Sequence, residues 1–190
     1  MGSGRMNATT IQSENKVAVG CLSCYNEGRL TFKWMDADEL EEANEGNLAK
    51  AVCNRPDDIY HIRDEWEIQD YDGDIGRLRL GGWPNIENLI QMMQLMDEEP
   101  TKYVIAYEAA VDHYQNPTAD QVEDVADRIM YVGEESLKDY FMEMAYSCGD
   151  IKDGDAWESY IDWEEYARHQ MLHYTEYKYG TDTYLIDRNF

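Results

Sequence analysis

Basic side chains are scarce in this sequence. Its 190 residues contain 16 Lys and Arg against 40 Asp and Glu, which gives a formal net charge of -24. Such a chain repels phosphate backbones and anionic lipid surfaces, because each contact would add like-charge repulsion instead of releasing counterions. We therefore expect no nucleic acid and no membrane as a partner, and we expect basic protein surfaces instead. A role of the charge in solubility alone is the alternative.

Long apolar runs are also missing. No window of about 18 consecutive apolar residues could cross a bilayer, and the first residues lack the apolar segment of a signal peptide. The sequence therefore predicts a cytoplasmic protein. The opening MGSGR, followed by Met6, is typical of residues added for expression, so we expect residues 1–16 to form a flexible N-terminus outside the fold.

Residues and motifs suited to catalysis are few. The chain has four His, and it contains no GxSxG, P-loop, HExxH or dinucleotide-binding motif. We therefore predict no enzyme, no catalytic residue and no cofactor. A hydrolase with paired carboxylates is the weaker alternative.

Cysteine is infrequent, with Cys21, Cys24, Cys53 and Cys148. Cys21 and Cys24 form a Cys-x-x-Cys pair, and His169 and His173 lie four residues apart, which are spacings found in zinc sites. However, Cys21 and Cys24 lie in a segment with the pattern of a strand, in which residues three apart point to opposite faces. The sequence predicts reduced, buried structural thiols and no metal site.

Apolar and aromatic residues, in contrast, are plentiful. The hydrophobic fraction is 43%, with 15 Tyr and 5 Trp, which is too high for a disordered acidic chain. The segments 17–23 and 29–35 flank an Asn-Glu-Gly turn and predict an antiparallel hairpin. Residues 36–42 then predict a helix with acids in its first turn, and residues 65–70 a third strand.

The rest of the chain predicts further helices and a second hairpin. Apolar residues recur at helical spacing from Ile86 to Met96 and from Val104 to His113, and residues 175–187 alternate around Gly180. The predicted fold class is α+β with three domains. These are an N-terminal α+β domain with a small antiparallel sheet and one helix (17–80), a helical bundle as middle domain (81–115) and an acidic C-terminal α+β domain (116–190).

One predicted helix separates its charges sharply from its apolar residues. Thr118 and Gln121 form a capping box at its start, and Gly133 is predicted to end it. Its acids all fall on one side of the helix, within an arc of roughly 100°, namely Asp120, Glu123, Asp124 and Asp127. Val122, Val125 and Ile129 lie opposite. A face that is merely solvated would interleave bases, because like charges at i+4 cost about 0.2–0.5 kcal/mol per pair; only Arg128 is near.

The following segments repeat this distribution. Glu135, Asp139 and Glu143 recur every four residues with Lys138 as the single base, and a last helix opens with acids. We predict an acidic functional surface formed by Asp36, Asp38, Glu39, Glu41, Glu42, Asp120, Glu123, Asp124, Asp127, Glu134, Glu135, Asp139, Glu143, Asp150, Asp153, Asp155, Glu158, Asp162, Glu164 and Glu165.

The amount of charge matches a short DNA duplex. B-DNA carries about one negative charge per 1.7 Å of axis, so a net charge of -24 corresponds to roughly 12 base pairs. Carboxylates on helices are ordered before binding, which avoids the entropy of immobilising a tail. We infer that the surface imitates DNA and occupies a DNA-binding protein. Since phosphates position a protein without specifying sequence, binding should ignore recognition sequence and weaken with salt.

Three segments carry a resemblance to a known family. They are VAVGCLSCYNEGRLTFKWMDADELEE (17–42), EWEIQDYDG (65–73) and YIDWEEYARHQM (160–171). In order and spacing they cover nearly the whole chain from Val17, and the first segment is the most specific. The sequence resembles the antirestriction protein ArdA family.

The resemblance implies an elongated, three-domain homodimer that mimics bent B-form DNA and fills the DNA groove of type I restriction-modification enzymes in a bacterial host cell. Genes of this family are carried on plasmids, conjugative transposons and phages. The resemblance implies no catalytic residue, metal or cofactor, and it assigns the acids within 36–42, 120–127 and 162–165 to the mimicking surface. Extra residues around 44–58 and a longer N-terminus depart from the family and bear on target choice. The alternative target is another DNA-binding defence, transcription or nucleoid protein.

Overall fold

The structure is a computed structural model that describes residues 15–56, 63–152, 154 and 156–188. The chain is an α+β protein that divides into two compact units, residues 1–100 and 101–190. The three-domain division expected from the sequence remains a prediction. Among the described residues, none of the helices combines the length and the apolar character needed to cross a bilayer.

The first unit is a small sheet with helices. In chain order its elements are β1 (Lys16–Cys21), α1 (Leu22–Asn26), β2 (Phe32–Met35), α2 (Ala37–Ala43), α3 (Leu48–Val52), β3 (Trp66–Asp72) and α4 (Ile86–Glu98), with 3-10 turns at Glu45–Asn47 and Asp74–Leu78. The antiparallel strand order is β2-β1-β3, with Val17 paired to Met35 on one side and Tyr71 on the other. The central strand is buried, which its β-branched and apolar residues favour.

The hairpin and the third strand predicted from the sequence are confirmed, but the strand assignment around Cys24 is wrong. β1 ends at Cys21, and Cys24 lies in the single-turn helix α1. The backbone N–H of Leu22 donates to the Glu65 carbonyl, and the N–H of Arg29 donates to the Cys24 carbonyl. The Leu22 bond continues the ladder between β1 and β3 by one residue, after which the chain enters α1. Cys24 therefore lies outside the strand, and the two cysteines are not held on opposite faces of a sheet.

Helix α4 supplies the core of the first unit. Met92, Met93 and Met96 are at most 1% exposed, so these methionines pack in the core, and α4 lies against α2. A buried amide joins three parts of this unit. Asn15 Nδ2 donates to Asp97 Oδ1 (2.6 Å), and Asn15 Oδ1 accepts from the Ile75 backbone N–H (2.9 Å).

The second unit begins with a helix and ends with a hairpin. From Pro100 onward the elements are α5 (Pro100–Val111), α6 (Ala119–Ala126), β4 (Ile129–Gly133), α7 (Leu137–Cys148), α8 (Trp163–Gln170), β5 (Tyr174–Tyr179) and β6 (Asp182–Asp187), with a 3-10 turn at Glu158–Tyr160. The strand order is β4-β6-β5, all antiparallel, and the β5–β6 hairpin confirms its prediction. Val132, Phe141, Ala167 and Leu185 form a buried cluster.

The predicted end of the first acidic helix is wrong, and Glu135, the first acid of the following repeat, lies outside a helix. α6 ends at Ala126 with Asp127 as its C-cap, so Gly133 ends a strand and not this helix. Ile129 pairs with Ile186 in β6, and this long-range pairing overrides the local helical pattern. Glu135 precedes α7, because Ser136 is the N-cap of that helix.

Candidate functional site

The predicted acidic surface lies at the surface of both units. Asp153 and Asp155 fall outside the described residues. Four of the others are half-buried: Asp36, Glu39, Glu158 and Glu165. The exposed ones are Asp38, Glu41, Glu42, Asp120, Glu123, Asp124, Asp127, Glu134, Glu135, Asp139, Glu143, Asp150, Asp162 and Glu164. No described member is buried, as a surface that binds through charge requires.

The half-buried carboxylates of the first unit organise the start of α2. The Glu39 backbone N–H donates to Asp36 Oδ1 (2.9 Å), and the Asp36 N–H donates to Glu39 Oε2 (3.4 Å), which is a reciprocal capping box. Lys33 Nζ adds a 2.8 Å contact to Glu39 Oε1. These two acids therefore position the helix, and they leave Asp38, Glu41 and Glu42 as the exposed charges.

The half-buried carboxylates of the second unit also hold local structure. Glu158 accepts hydrogen bonds from the Tyr146 hydroxyl (2.8 Å) and the Gly154 backbone N–H (3.1 Å). Glu165 pairs with Arg168, and its Oε1 lies 3.1 Å from His169 Nε2. His169 and His173 are both exposed, and His169 contacts a carboxylate on its own helix.

Helix α6 presents the clearest acidic face, which we call the α6 acidic face and define as Asp120, Glu123, Asp124 and Asp127. All four side chains are exposed, whereas Val122 and Val125 are at most 1% exposed on the other side. The predicted capping box is present, since the Thr118 N–H donates to Gln121 Oε1 (2.9 Å) and the Gln121 N–H to Thr118 Oγ1 (3.3 Å). The charges are therefore carried on a helix with a fixed start and a buried apolar side.

Few cations offset the α6 acidic face. Among the residues that the structure describes, no ion pair involves Asp120, Glu123 or Asp124, while Asp127 Oδ1 lies 3.9 Å from Lys102 Nζ. Arg128, the base noted in the sequence, donates from Nε to the Asp124 carbonyl (3.2 Å) and so stabilises the helix end. These carboxylates are thus available for cations of another molecule.

A second acidic group surrounds the start of α7. The Ser136 hydroxyl donates to Asp139 Oδ2 (2.6 Å). This hydrogen bond is the main cause that holds the pKa of Asp139 below its usual value, and the charge of Lys138 lowers the same pKa to a smaller extent. Lys138 Nζ lies 3.5 Å from Asp139 Oδ1 and 3.9 Å from Glu164 Oε1 on α8. One base is therefore shared between carboxylates of two helices.

Glu108 in α5 and Asp112, directly after α5, contribute charge outside the predicted acidic surface. Asp112 Oδ2 accepts from the Tyr177 hydroxyl (3.3 Å). Burial is the main cause that raises the pKa of Tyr177 to about 12, and the nearby charges of Asp112 and Glu108 contribute to the same shift. Glu108 and Asp112 are exposed and lie four residues apart, a spacing that was readable in the sequence but was interpreted as core.

The cysteines divide into two classes. Cys21, Cys24 and Cys53 are buried, whereas Cys148 is exposed, which corrects the prediction that all four are buried. Cys148 is the last residue of α7, beyond the positions that pack on the core. Burial is the main cause that raises the pKa of the Cys21 thiol to about 11.

Comparisons with known proteins bear on this acidic surface. No curated protein matches the chain. The family model described as Antirestriction protein (ArdA) matches residues 17–183, which include every helix described above and the strands up to the first two residues of β6, apart from Lys16 of β1. Since this match spans most of the 190 residues and begins at the first residue of the most specific resembling segment, the chain belongs to the ArdA family of antirestriction proteins.

Proposed function

We propose that this antirestriction protein inhibits type I restriction-modification enzymes by placing ordered carboxylates in the groove that normally holds DNA. The observation that carries the proposal is the α6 acidic face. It has four exposed acids on a capped helix, with one cation contact among them in the described structure.

The geometry suits replacement of phosphates. Residues three or four apart on a helix are separated by about 4.5–6 Å along its axis, so the acids form a row of closely spaced charges. Carboxylates accept charge-assisted hydrogen bonds from Lys and Arg, as phosphates do, and carry no base information. The inhibitor therefore competes with any DNA sequence that the enzyme recognises, and it acts by binding and not by catalysis.

We further propose that the active form is a homodimer in the bacterial cytoplasm. One chain carries a net charge of -24, equal to roughly 12 base pairs of B-DNA, and two chains double that length. The family resemblance supports the same assembly.

Neutralising the α6 acidic face tests the location of the surface. The variant carries Asp120→Asn, Glu123→Gln, Asp124→Asn and Asp127→Asn; it should fold normally and inhibit DNA cleavage by a purified type I enzyme at least about tenfold more weakly, since one decade is about 1.4 kcal/mol. The loss should be graded when the changes are made singly, because many contacts share the binding.

A matched control changes the net charge equally elsewhere. Asp64→Asn, Glu65→Gln, Asp70→Asn and Asp72→Asn alter exposed acids outside the predicted surface. Inhibition by this control should stay close to that of the parent protein. Equal loss in both variants would show that bulk charge acts without a located surface, and unchanged inhibition in the first would remove α6 from it.

The identity of the target needs a separate measurement. Immobilised protein incubated with lysate of a bacterium that has a type I system should retain the restriction and modification subunits, and free duplex DNA should release them. Recovery of polymerase or nucleoid proteins alone would overturn the proposed target and favour another DNA-binding partner.

A further inference from the structure

Three buried thiols of the first unit converge at one point. Cys21 ends β1, Cys24 lies in α1, and Cys53 is the C-cap of α3. They are at most 1% exposed, and their three Sγ atoms all lie within 4.8 Å of one another. Despite the many acids in the chain, this is the one place in the described structure where three side-chain atoms of metal-ligating type are gathered so closely.

The sulfur separations suit a shared metal ion. The Cys24 and Cys53 Sγ atoms are 3.4 Å apart, longer than a disulfide bond, and none of the three cysteines forms a disulfide. A tetrahedral zinc ion with Zn–S bonds of about 2.3 Å holds its sulfurs about 3.8 Å apart. This value lies between the 3.4 Å contact and the 4.8 Å within which all three sulfurs lie, so changes of at most about 1 Å in the sulfur separations would form the site.

The backbone around the cluster is anchored. The N–H of Cys21 donates to the Thr31 carbonyl, and the N–H of Cys53 donates to the Ala49 carbonyl. Arg63 Nη1 donates to the Cys53 carbonyl (3.2 Å), which places a positive charge close to a site that would be negative when three thiolates surround a metal ion. The strand end and the two short helices therefore hold the sulfurs in place before a ligand arrives.

We propose that Cys21, Cys24 and Cys53 bind one thiophilic metal ion, Zn²⁺ or Cu⁺, which stabilises the first unit. Thiolate ligands select these two ions over the hard cations that prefer oxygen. The burial of the sulfurs assigns the ion a structural role, linking β1 and α1 to α3. This inference revises the expectation of no metal site and is independent of the target of the acidic surface.

Metal uptake by the whole chain tests the proposal. Protein freed of metal with chelator and reductant receives Zn²⁺ alone or Cu⁺ alone, and native mass spectrometry counts the bound ions. One ion per chain is expected for the parent and for Cys148→Ser, whose thiol is exposed and outside the cluster. The Cys21→Ser and Cys53→Ser variants should lose this ion. The ion that binds identifies the site as a zinc or a copper site. If neither Zn²⁺ nor Cu⁺ binds, the proposed metal site is wrong.

A second measurement covers variants that fail to fold. Parent protein is treated with an alkylating reagent at a denaturant concentration at which the metal-free form reacts at all four thiols. Added metal should slow alkylation of the three cluster cysteines at least tenfold and leave Cys148 reactive. Equal alkylation with and without metal would show that the three thiols only pack against one another.

Discussion

At the scale of single residues, the side chains with the most partners are not the ones that carry the proposed function. Asp36 and Glu39 cap α2, and Glu158 joins a tyrosine to a loop. The acids assigned to binding, such as Asp120 and Glu123, make no ion pair in the described structure. Structural and binding carboxylates are therefore separable, and replacing the second kind should leave stability intact.

Asn15 offers a residue-scale prediction about stability. Its side chain donates a hydrogen bond to Asp97 and accepts one from the Ile75 backbone N–H, and the residue is only 1% exposed. Asn15→Ala would leave both groups without this partner, so we expect the free energy of unfolding to fall by about 1–3 kcal/mol in urea titrations. Asn116→Ala, at an exposed site, is the control and should change it by less than about 0.5 kcal/mol. An unchanged free energy of unfolding in Asn15→Ala would mean that water replaces the amide.

At the scale of elements, the order of the acidic helices depends on their caps. α6 is only Ala119–Ala126 in length, and a helix this short is marginal unless its ends and its apolar side are held. Thr118 and Gln121 fix the start, while Val122 and Val125 bury the inner face. The spacing of the exposed carboxylates thus follows from the capping box and the core contacts together.

Removing the cap should therefore affect both stability and inhibition. Thr118→Ala deletes the hydroxyl that accepts from the Gln121 N–H, and we expect a loss of about 0.5–2 kcal/mol in the free energy of unfolding, measured by thermal denaturation. Inhibition of DNA cleavage should weaken as the α6 acidic face loses order. Thr118→Ser keeps an accepting hydroxyl and should behave like the parent; similar losses in both variants would contradict the capping argument.

At the scale of the whole molecule, charge is the dominant property. Residues 1–100 hold 20 acids and 9 bases, and residues 101–190 hold 20 acids and 7 bases, so each unit is strongly negative. Many exposed contacts of this kind are individually weak and screened by salt, since the Debye length is about 10 Å at 0.1 M. Affinity must then come from their number, in contrast to an active site where one residue is decisive.

Salt dependence is the corresponding prediction. The dissociation constant for the target enzyme should rise by about tenfold or more between 50 mM and 200 mM salt, as it does for proteins that contact several phosphates. The variant with a neutralised α6 acidic face should show a shallower slope in the same titration. A dissociation constant that does not change with salt would indicate that apolar contacts, and not carboxylates, dominate the complex.

Local patterns in the sequence determined much of this protein. The hairpin of β1 and β2, the helices around Met93 and Ile105, and the capping box at Thr118 depend on residues close together in the chain, so spacing and turn chemistry were sufficient to predict them. The exposure of the α6 acidic face also followed, because carboxylates on one side of a helix opposite buried valines must face water.

Tertiary structure decided what depends on distant partners. Ile129–Gly133 is a strand because it pairs with β6, which lies about fifty residues later in the chain. The residues next to Ile129 give no information about this distant partner. Cys53 joins Cys21 and Cys24 only because α3 packs beside β1, so the convergence of three thiols could not be read from their spacing. Sequence determined which residues are charged, capped or apolar, whereas long-range packing decided which of them meet, since contacts between distant segments depend on the fold of the whole unit.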